Sequence, residues 1–330
     1  MNKLKVCITI DTEFSIAGAF NNSGEYLPVD RQAVYCNVNG RSEGLGFVLK
    51  TFKETGVIAT FFVEALNRAY FGDRPMEGVV NDILAAGQDV QLHIHPVWSQ
   101  VFSFPDWRNR LDAIKPNDSV LTRSQGQLET LFGEGAGILE RWCGYRPLAL
   151  RMGNLHVNRN VYKAMYGVEL FVSSNIGRGI YDPVDSALSL SHGCSAIDGV
   201  YEYPVTSYVG LHLPGIKELK SLTITGSSFS ELKYIIEQAY ENGIGCAVIL
   251  SHTFEFIKGH DIQFNNGKRN MLTQRRLRKL CEYISDNSDR FETVSITQLD
   301  KKEQGGECGI LSAPNLASVR RIVANKLGDL

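Results

Sequence analysis

The stretch Gln91-Leu92-His93-Ile94-His95-Pro96-Val97-Trp98 places two imidazole side chains two residues apart at the end of an apolar run. Residues i and i+2 of a β-strand point to the same face of a sheet. If the strand reaches His95 and ends at Pro96, both rings can face one ion, and imidazole nitrogens are ligands that borderline metals prefer. The alternative is a pair of hydrogen-bonded histidines at a strand edge, because two nitrogens alone do not make a metal site. The residues at the ends of the other predicted strands decide between these interpretations.

The composition is that of an ordinary globular protein of 330 residues, with 43% hydrophobic residues, 21% charged residues and a formal net charge of -2. This near-neutral balance gives no general electrostatic reason to bind nucleic acid or an anionic membrane. Seven cysteines without a close Cys-x-x-Cys pair indicate reduced, packed thiols. The first residues enter a strand directly, without a secretory signal, and no apolar run approaches about 18 residues. We therefore expect a cytoplasmic protein without a membrane span.

Strand-like and helix-like segments alternate roughly seven times along the chain, which predicts a parallel sheet and, if the sheet closes, a (β/α) barrel. A Gly- and Asn-rich segment at about 16–40 is too long for an ordinary connection, so we interpret it as an insertion and lid at the mouth of a site. Phe104 and Trp107 lie in a loop-rich region and are assigned to packing rather than to ligand stacking. We expect one α/β domain at 1–300, and an extension at 301–330 whose helix, at about 318–327, serves packing or dimerisation.

The predicted strands end in polar or ionisable residues: Asp11 with Glu13, Glu64, His93 with His95, Arg151, Thr206 and His252. The carboxyl ends of all strands in a parallel barrel lie on one face, so these residues converge. Two histidines and one carboxylate supply three protein ligands and leave an open position, which is typical of catalytic zinc. The second carboxylate can then act as a general base. His252 can protonate a leaving amine, and Arg151 can keep the base ionised.

Each of these residues also has a structural interpretation. Asp11 and Glu13 can form a solvated loop start, and His252 can be a hydrogen-bonded core histidine. Arg151 can be a surface charge after a strand. Ser251-His252 does not indicate a serine hydrolase, because Ser251 has no glycine two residues before or after it, and adjacent residues of a strand face opposite sides. Four histidines in polar or loop-like surroundings are assigned no role: His156, His192, His212 and His260.

Five segments resemble, in chain order, the motifs of the polysaccharide deacetylases, the NodB-homology domain of carbohydrate esterase family four. They are Ile8-Thr9-Ile10-Asp11-Thr12-Glu13, Ala59-Thr60-Phe61-Phe62-Val63, Gly87-Gln88-Asp89-Val90-Gln91-Leu92-His93-Ile94-His95-Pro96, Leu150-Arg151-Met152-Gly153 and Ile249-Leu250-Ser251-His252. The resemblance spans residues 4–299. It implies a distorted (β/α)7 barrel that uses a divalent metal to remove an acyl group from an N-acylated sugar.

The resemblance also implies residue roles, with two departures from the family pattern. Asp11 corresponds to the base and Glu13 to a metal ligand, but Thr12 separates acids that are adjacent in the family, which leaves the two roles exchangeable. His93 corresponds to a second ligand, and Val97 stands where the family has the next histidine, so His95 must take that position. By the same resemblance, Arg151 orients the base and His252 is the general acid.

The predicted function is therefore a cytoplasmic, divalent-metal-dependent N-deacylase, with zinc as the default ion. Its expected substrate is an N-acylated, most simply N-acetylated, sugar. That sugar is expected in a sugar nucleotide or glycan of surface polysaccharide assembly, such as lipopolysaccharide biosynthesis. The protein is a candidate homo-oligomer. Two alternatives stay open: a metal-free carbohydrate-binding relic of the fold, and a hydrolase of formyl amides or other C–N bonds in small molecules.

Overall fold

The computed structural model describes residues 2–103, 111–302 and 309–328, so Phe104 and Trp107 lie outside it. The strands are β1 (Leu4–Thr12), β2 (Asn37–Val38), β3 (Arg41–Ser42), β4 (Ala59–Glu64), β5 (Asp89–Ile94), β6 (Ala149–Met152), β7 (Val172–Ser173), β8 (Ser195–Ile197), β9 (Val200–Glu202), β10 (Ser207–Leu213), β11 (Ile216–Ser221), β12 (Cys246–His252), β13 (Ile257–Lys258), β14 (Lys268–Arg269), β15 (Phe291–Thr293) and β16 (Leu311–Ser312). The helices are α1 (Arg31–Tyr35), α2 (Leu45–Thr55), α3 (Arg68–Phe71), α4 (Arg74–Ala85), α5 (Gln125–Cys143), α6 (Arg159–Gly167), α7 (Phe229–Glu241), α8 (Met271–Asp286) and α9 (Asn315–Gly328).

Parallel strands form the framework of the described part of the molecule. Their order is β12-β1-β4-β5-β6-β7-β9; antiparallel β8 extends β9, and β15 pairs with the first residues of β1. The β12 edge is joined to the chain beyond β9, because Thr206 N donates to Val248 O at 3.0 Å and Thr223 bridges Leu250 in parallel. The sheet therefore curls back on itself, and the predicted distorted (β/α)7 barrel is confirmed.

The strands are buried because helices pack outside them. All six residues of β4 are buried, as expected for a parallel strand covered on both faces. Helix α5 packs on β5 and α7 on β1 and β12. The sequence sets the bounds of α5: Ser124 and Gln127 form a capping box at its start, and Gly144 adopts φ 77° after its end.

The strand register aligns the predicted site residues. Asp11 at the end of β1 is paired with His252 of β12. On the other side of β1, Glu64 of β4 is paired with His93 of β5, and His93 is paired with Arg151 of β6. Five neighbouring strands therefore present their polar residues at the same edge of the barrel.

The segment at 16–40 is ordered around α1 and begins the β2–β3 hairpin. Ala33 and Cys36 pack with Ile257 and Phe264 from the chain after β12. The segment therefore forms a wall beside the carboxyl ends of the strands. Its action as a lid stays a prediction.

Helix α9 contains the helix predicted at 318–327. It packs on β10, and both Ser318 Oγ and Arg321 Nε donate to the buried carboxylate of Glu231, at 2.9 and 3.2 Å. The domain boundary near residue 300 stays a prediction. The β10–β11 hairpin, which pairs with β16 in a separate sheet, was not predicted from the sequence. None of the helices described here has the length and hydropathy of a membrane span.

Candidate active site

Glu13, His93 and His95 form a compact cluster of metal-ligating groups, with one ligand atom from each lying within 4.8 Å of the others. The Oε2 atom of Glu13 is 2.7 Å from His95 Nε2 and 3.5 Å from His93 Nε2. His93 lies in β5, whereas Glu13 and His95 immediately follow the ends of their strands. The structure therefore brings together the three residues that the sequence proposed as metal ligands.

His93 is the residue of this cluster whose surroundings most clearly indicate a metal. Its side chain is 2% exposed, yet neither ring nitrogen has a hydrogen-bond partner within the described residues. Buried polar atoms are nearly always satisfied, so an orphaned imidazole beside a carboxylate and a second imidazole needs a further partner. Two imidazoles and one carboxylate are a common ligand set for zinc and other first-row divalent ions. The residues present thus fit a divalent metal.

Asp118 orients His95, and sequence reasoning missed it. Asp118 Oδ2 accepts from His95 Nδ1 at 2.6 Å and from Asn154 Nδ2 at 2.7 Å, and its other oxygen accepts from Val97 N at 3.1 Å. A carboxylate on the far nitrogen directs the opposite nitrogen of a histidine toward a metal. Asp118 lies in a loop without a strand or helix pattern, so nothing in the sequence pointed to it.

The charges of the cluster stabilise one another. Burial raises the pKa of Glu13, but His95 and His93 outweigh burial and hold the pKa of this carboxyl well below its usual range. Burial lowers the pKa of His95, but Glu13 and Asp118 raise that pKa well above its usual value. Because a ligating imidazole must be neutral, metal ligation by His95 is expected to release a proton.

Gly153 provides the space for the His95 ring. A Cβ atom on Gly153 would lie 2.2 Å from His95 Cε1 and 2.3 Å from Nδ1, far inside van der Waals contact. Gly153 directly follows Met152 at the end of β6, the strand that also contains Arg151. The glycine of the Leu150-Arg151-Met152-Gly153 segment is therefore required by a close approach of a side chain.

Gly153→Ala is expected to weaken zinc binding about 10- to 100-fold, because the added methyl group displaces the candidate ligand His95 and its carboxylate partner Asp118. Isothermal titration calorimetry with zinc measures the effect. Gly78→Ala is the matched control, since its added Cβ meets no described atom within 4 Å. Equal zinc affinity in the two variants would contradict a role for His95 in metal binding.

Asp11 is held by a buried arginine. Arg151 Nη1 donates to Asp11 Oδ1 at 2.8 Å, and the side chains are 0% and 5% exposed. The other carboxylate oxygen of Asp11 lies 3.8 Å from His252 Nε2. Asp11 thus contacts Arg151 and His252, whereas Glu13 contacts His93 and His95.

His252 has its own carboxylate partner, Glu255, which sequence reasoning also missed. Glu255 Oε1 lies 3.1 Å from His252 Nδ1, and Oε2 accepts from Ser251 Oγ at 2.7 Å. Burial lowers the pKa of His252, but Glu255 and Asp11 together raise it to about 9. The histidine is therefore protonated at neutral pH. Glu255 lies three residues after His252, beyond the end of β12, so the pattern of polar residues at strand ends did not point to it.

Two of the residues that the sequence predicted at strand ends do not join the reactive groups, and Thr206 lies between β9 and β10 rather than at a strand end. Glu64 is fully buried and accepts from the backbone N–H groups of Leu66 and His95, so it anchors the chain after β5. Burial raises the pKa of Glu64 to about 8. Thr206 Oγ1 accepts from Val248 N at 2.9 Å and helps to close the barrel.

A cavity of about 380 Å³ opens beside the cluster. Glu13, His95 and Asp118 are polar residues of its lining. The rest of the wall is largely aromatic, with Phe14, Trp98, Phe254 and Phe264. His260, to which the sequence assigned no role, also lines the cavity, and its ring stacks on that of Phe264 at 4.7 Å. The cavity therefore offers both polar groups and aromatic side chains.

Comparison with known proteins gives no matching family model and no matching curated protein. Among solved structures, a candidate polysaccharide deacetylase from Mycobacterium smegmatis matches 90% of this chain and 88% of its own, at 15% sequence identity and a TM-score of 0.51. The chain has the fold of the polysaccharide deacetylases. This confirms the fold that the five sequence segments predicted.

Two further proteins with the deacetylase fold match at lower TM-scores. The family 4 carbohydrate esterase from Streptomyces lividans, in complex with acetate, is 13% identical over 90% of this chain and 95% of its own, with a TM-score of 0.40. A carbohydrate esterase family four pseudoenzyme from Bacillus anthracis is 13% identical over 92% of this chain and 68% of its own, with a TM-score of 0.44. Function must be argued from this chain's own residues, because a shared fold does not imply a shared activity.

Proposed function

We propose that this protein is a metal-dependent deacylase that hydrolyses an N-acyl group, most simply N-acetyl, of a sugar. One observation carries the proposal: the Glu13, His93 and His95 cluster lies at the same edge of the barrel as His252 and as Asp11, which Arg151 holds. Hydrolysis of an amide needs an electrophilic centre, a base for water and an acid for the amine. The chain has a candidate for each.

Glu13, His93 and His95 would hold the metal, and zinc is the default ion for this ligand set. When bound, such an ion polarises the acyl carbonyl and lowers the pKa of a water molecule. His95 takes the place that Val97 cannot fill, with Asp118 orienting its ring. We assign the ligand role to Glu13 rather than to Asp11, because Glu13 lies beside His93 and His95 whereas Asp11 lies beside Arg151 and His252.

Asp11 is positioned as the general base and His252 as the general acid. Arg151 holds Asp11 by a charge-assisted hydrogen bond to Oδ1, which leaves Oδ2 for the proton of the attacking water. The water oxygen bonds to the acyl carbon, the C–N bond breaks, and His252 Nε2 protonates the departing amine. Glu255 acts through His252 as a positioning residue, because it holds Nδ1 and keeps the imidazolium charged.

Activity is expected to decline as pH rises through about 9, because the raised pKa of His252 keeps the acid form below that pH and loses it above. Glu255→Gln removes the closest negative partner of His252 and is expected to move this alkaline limb down by about one unit or more. The pH profile of kcat/KM measures the shift, with the exposed Glu282→Gln as control. An unmoved alkaline limb in the Glu255 variant would show that His252 is not the acid that the profile reports.

The cavity supports a sugar substrate. Its volume of about 380 Å³ falls within the ~300–1,000 Å³ typical of small-molecule sites. Aromatic walls formed by Trp98, Phe254 and Phe264 suit the apolar faces of a sugar ring, while the metal cluster meets the acyl group. A cytoplasmic role in surface polysaccharide assembly remains part of the proposal.

Elemental analysis of the purified protein, combined with a panel assay of released acid, tests the function. Stoichiometric zinc or another divalent ion, with acid released from N-acyl sugars, is the expected result. Protein without metal would favour the carbohydrate-binding relic. Metal with acid released only from small formyl amides would favour the alternative C–N hydrolase.

A further inference from the structure

A second cavity, of about 760 Å³, lies outside the candidate active site along the β2–β3 hairpin and β14. Arg41, Lys268 and Arg269 line it. A smaller cavity of about 200 Å³ continues from Arg269 along α8 to Arg275 and Arg278. We call the surface formed by these five cations the basic groove.

The basic groove has an excess of positive charge in a chain whose formal net charge is -2. Its one acidic lining residue among those described is Glu43, which is buried. Glu43 Oε2 already pairs with Arg269 Nε at 3.0 Å and accepts from Gln274 Nε2 at 2.9 Å. The remaining cations of the groove therefore face solvent without an equal number of carboxylates.

The charges of α8 run against the preference of a helix. A helix dipole favours acidic residues in the first turns and basic residues in the last. The first turn of α8 has no acid, and its basic residues, Arg275, Arg276, Arg278 and Lys279, all precede its acidic residues. Its acidic residues, Glu282 and Asp286, lie in the second half. A bound anion beside the first half would offset this arrangement.

One segment of chain connects the basic groove to the candidate active site. After His252, the chain lines the site cavity with Phe254 and Phe264. It then returns through Gly267, Lys268 and Arg269, which line the groove. The insertion also contributes to both, with Ala33 at the site and Val38 at the groove. The groove and the site cavity are thus lined by residues of the same two chain segments.

We propose that the basic groove binds a diphosphate group, and that the sugar substrate is presented on a diphosphate carrier. Arginine guanidinium groups and a lysine ammonium are the side chains that recognise phosphate oxygens by charge-assisted hydrogen bonds. Asn39 and Asn266 add amide donors at the same surface. The choice of a sugar carrier rests on the proposed deacylase function. A nucleoside diphosphate and a lipid diphosphate share this chemistry.

Binding of inorganic pyrophosphate to the full-length protein, measured by isothermal titration calorimetry, tests the groove. The double variant Arg41→Gln, Lys268→Gln is expected to weaken binding about tenfold or more, since each cation contributes charge-assisted contacts. The control is Lys163→Gln, Arg320→Gln, which removes the same charge from exposed positions elsewhere. Pyrophosphate binding that is absent, or equal in the two double variants, would overturn the proposal.

The source of the diphosphate is separated by titrating UDP and farnesyl diphosphate in parallel. If one of these two diphosphates binds more tightly than the other, and the Arg41→Gln, Lys268→Gln variant loses that binding, the groove is supported and the carrier of the sugar is identified. Tighter binding of a 20-nucleotide single strand than of either diphosphate would assign the groove to nucleic acid and overturn the proposal. The His93→Ala variant should bind pyrophosphate like the unmodified protein, and loss there would place the anion at the metal cluster instead. Acid release is measured separately, so failure of the groove and failure of the deacylase function are distinguishable.

Discussion

His93→Ala is expected to abolish stoichiometric metal binding and to lower the rate of acyl release on the order of 10³-fold or more. The reason is that a Lewis-acid metal contributes several kcal/mol to the transition state, and each ~1.4 kcal/mol is a factor of ten in rate. Neither ring nitrogen of His93 has a hydrogen-bond partner among the described residues, so its replacement removes no hydrogen bond. Elemental analysis and the acid-release assay measure the two effects on the same preparation.

His212→Ala is the matched control, because His212 is exposed on β10, outside the candidate site. It should keep both metal and activity. Circular dichroism of the His93 variant shows whether the smaller side chain in the core changes the fold, and His93→Gln repeats the test with more of the volume retained. A folded His93 variant with full activity would remove the metal-dependent mechanism.

Arg151→Met is expected to lower the free energy of unfolding by about 3–5 kcal/mol, because it leaves the Asp11 carboxylate buried without its positive partner. Arg151 is completely buried. Nη1 donates to Thr9 Oγ1 at 2.7 Å and to Asp11 Oδ1 at 2.8 Å, while Nε and Nη2 donate to Ser174 O and Oγ at 3.0 and 2.7 Å. Its guanidinium also lies over the Phe62 ring, 4.4 Å from the centroid. Urea unfolding measures the loss.

The double variant Asp11→Asn, Arg151→Met separates the buried charge from the lost hydrogen bonds. It should be destabilised by less than the sum of the two single variants, since neither charge is then left alone. Arg159→Met is the control, because Arg159 pairs with Asp185 at 3.1 Å on the surface and should cost about 1 kcal/mol or less. Additive single effects at Asp11 and Arg151 would show that the pair is not coupled.

Local sequence patterns were sufficient to predict the framework of the molecule. Apolar strands such as β4 and β12 alternate with helices, and a buried parallel sheet requires that pattern. Polar residues at strand ends predicted a shared edge, since parallel strands end on one side of a sheet. The spacing of two residues between His93 and His95 predicted that both rings lie on one side of the chain, and both lie near Glu13. These predictions succeed because the periodicity of side chains along a strand is a property of the backbone alone.

Residues outside the strands could not be predicted in this way. Asp118 reaches His95 from a loop, and Glu255 reaches His252 from a turn after β12. Position 153 must be glycine because the His95 ring lies where a Cβ atom would be, and these two residues follow different strands. Each depends on a long-range approach that has no period in the sequence.

The sequence by itself determined which groups could do chemistry and the kind of sheet that would bring them to one rim. The tertiary structure decided the partners, because hydrogen bonds and charges depend on distances of a few ångströms that chain order does not encode. It assigned Arg151 to Asp11 and the two histidines to Glu13. It also gathered the cations of the basic groove from the β2–β3 hairpin and, more than 200 residues later in the chain, from β14 and α8. The position of a residue along a strand determines which face its side chain occupies, whereas tertiary packing determines which other residues that side chain contacts.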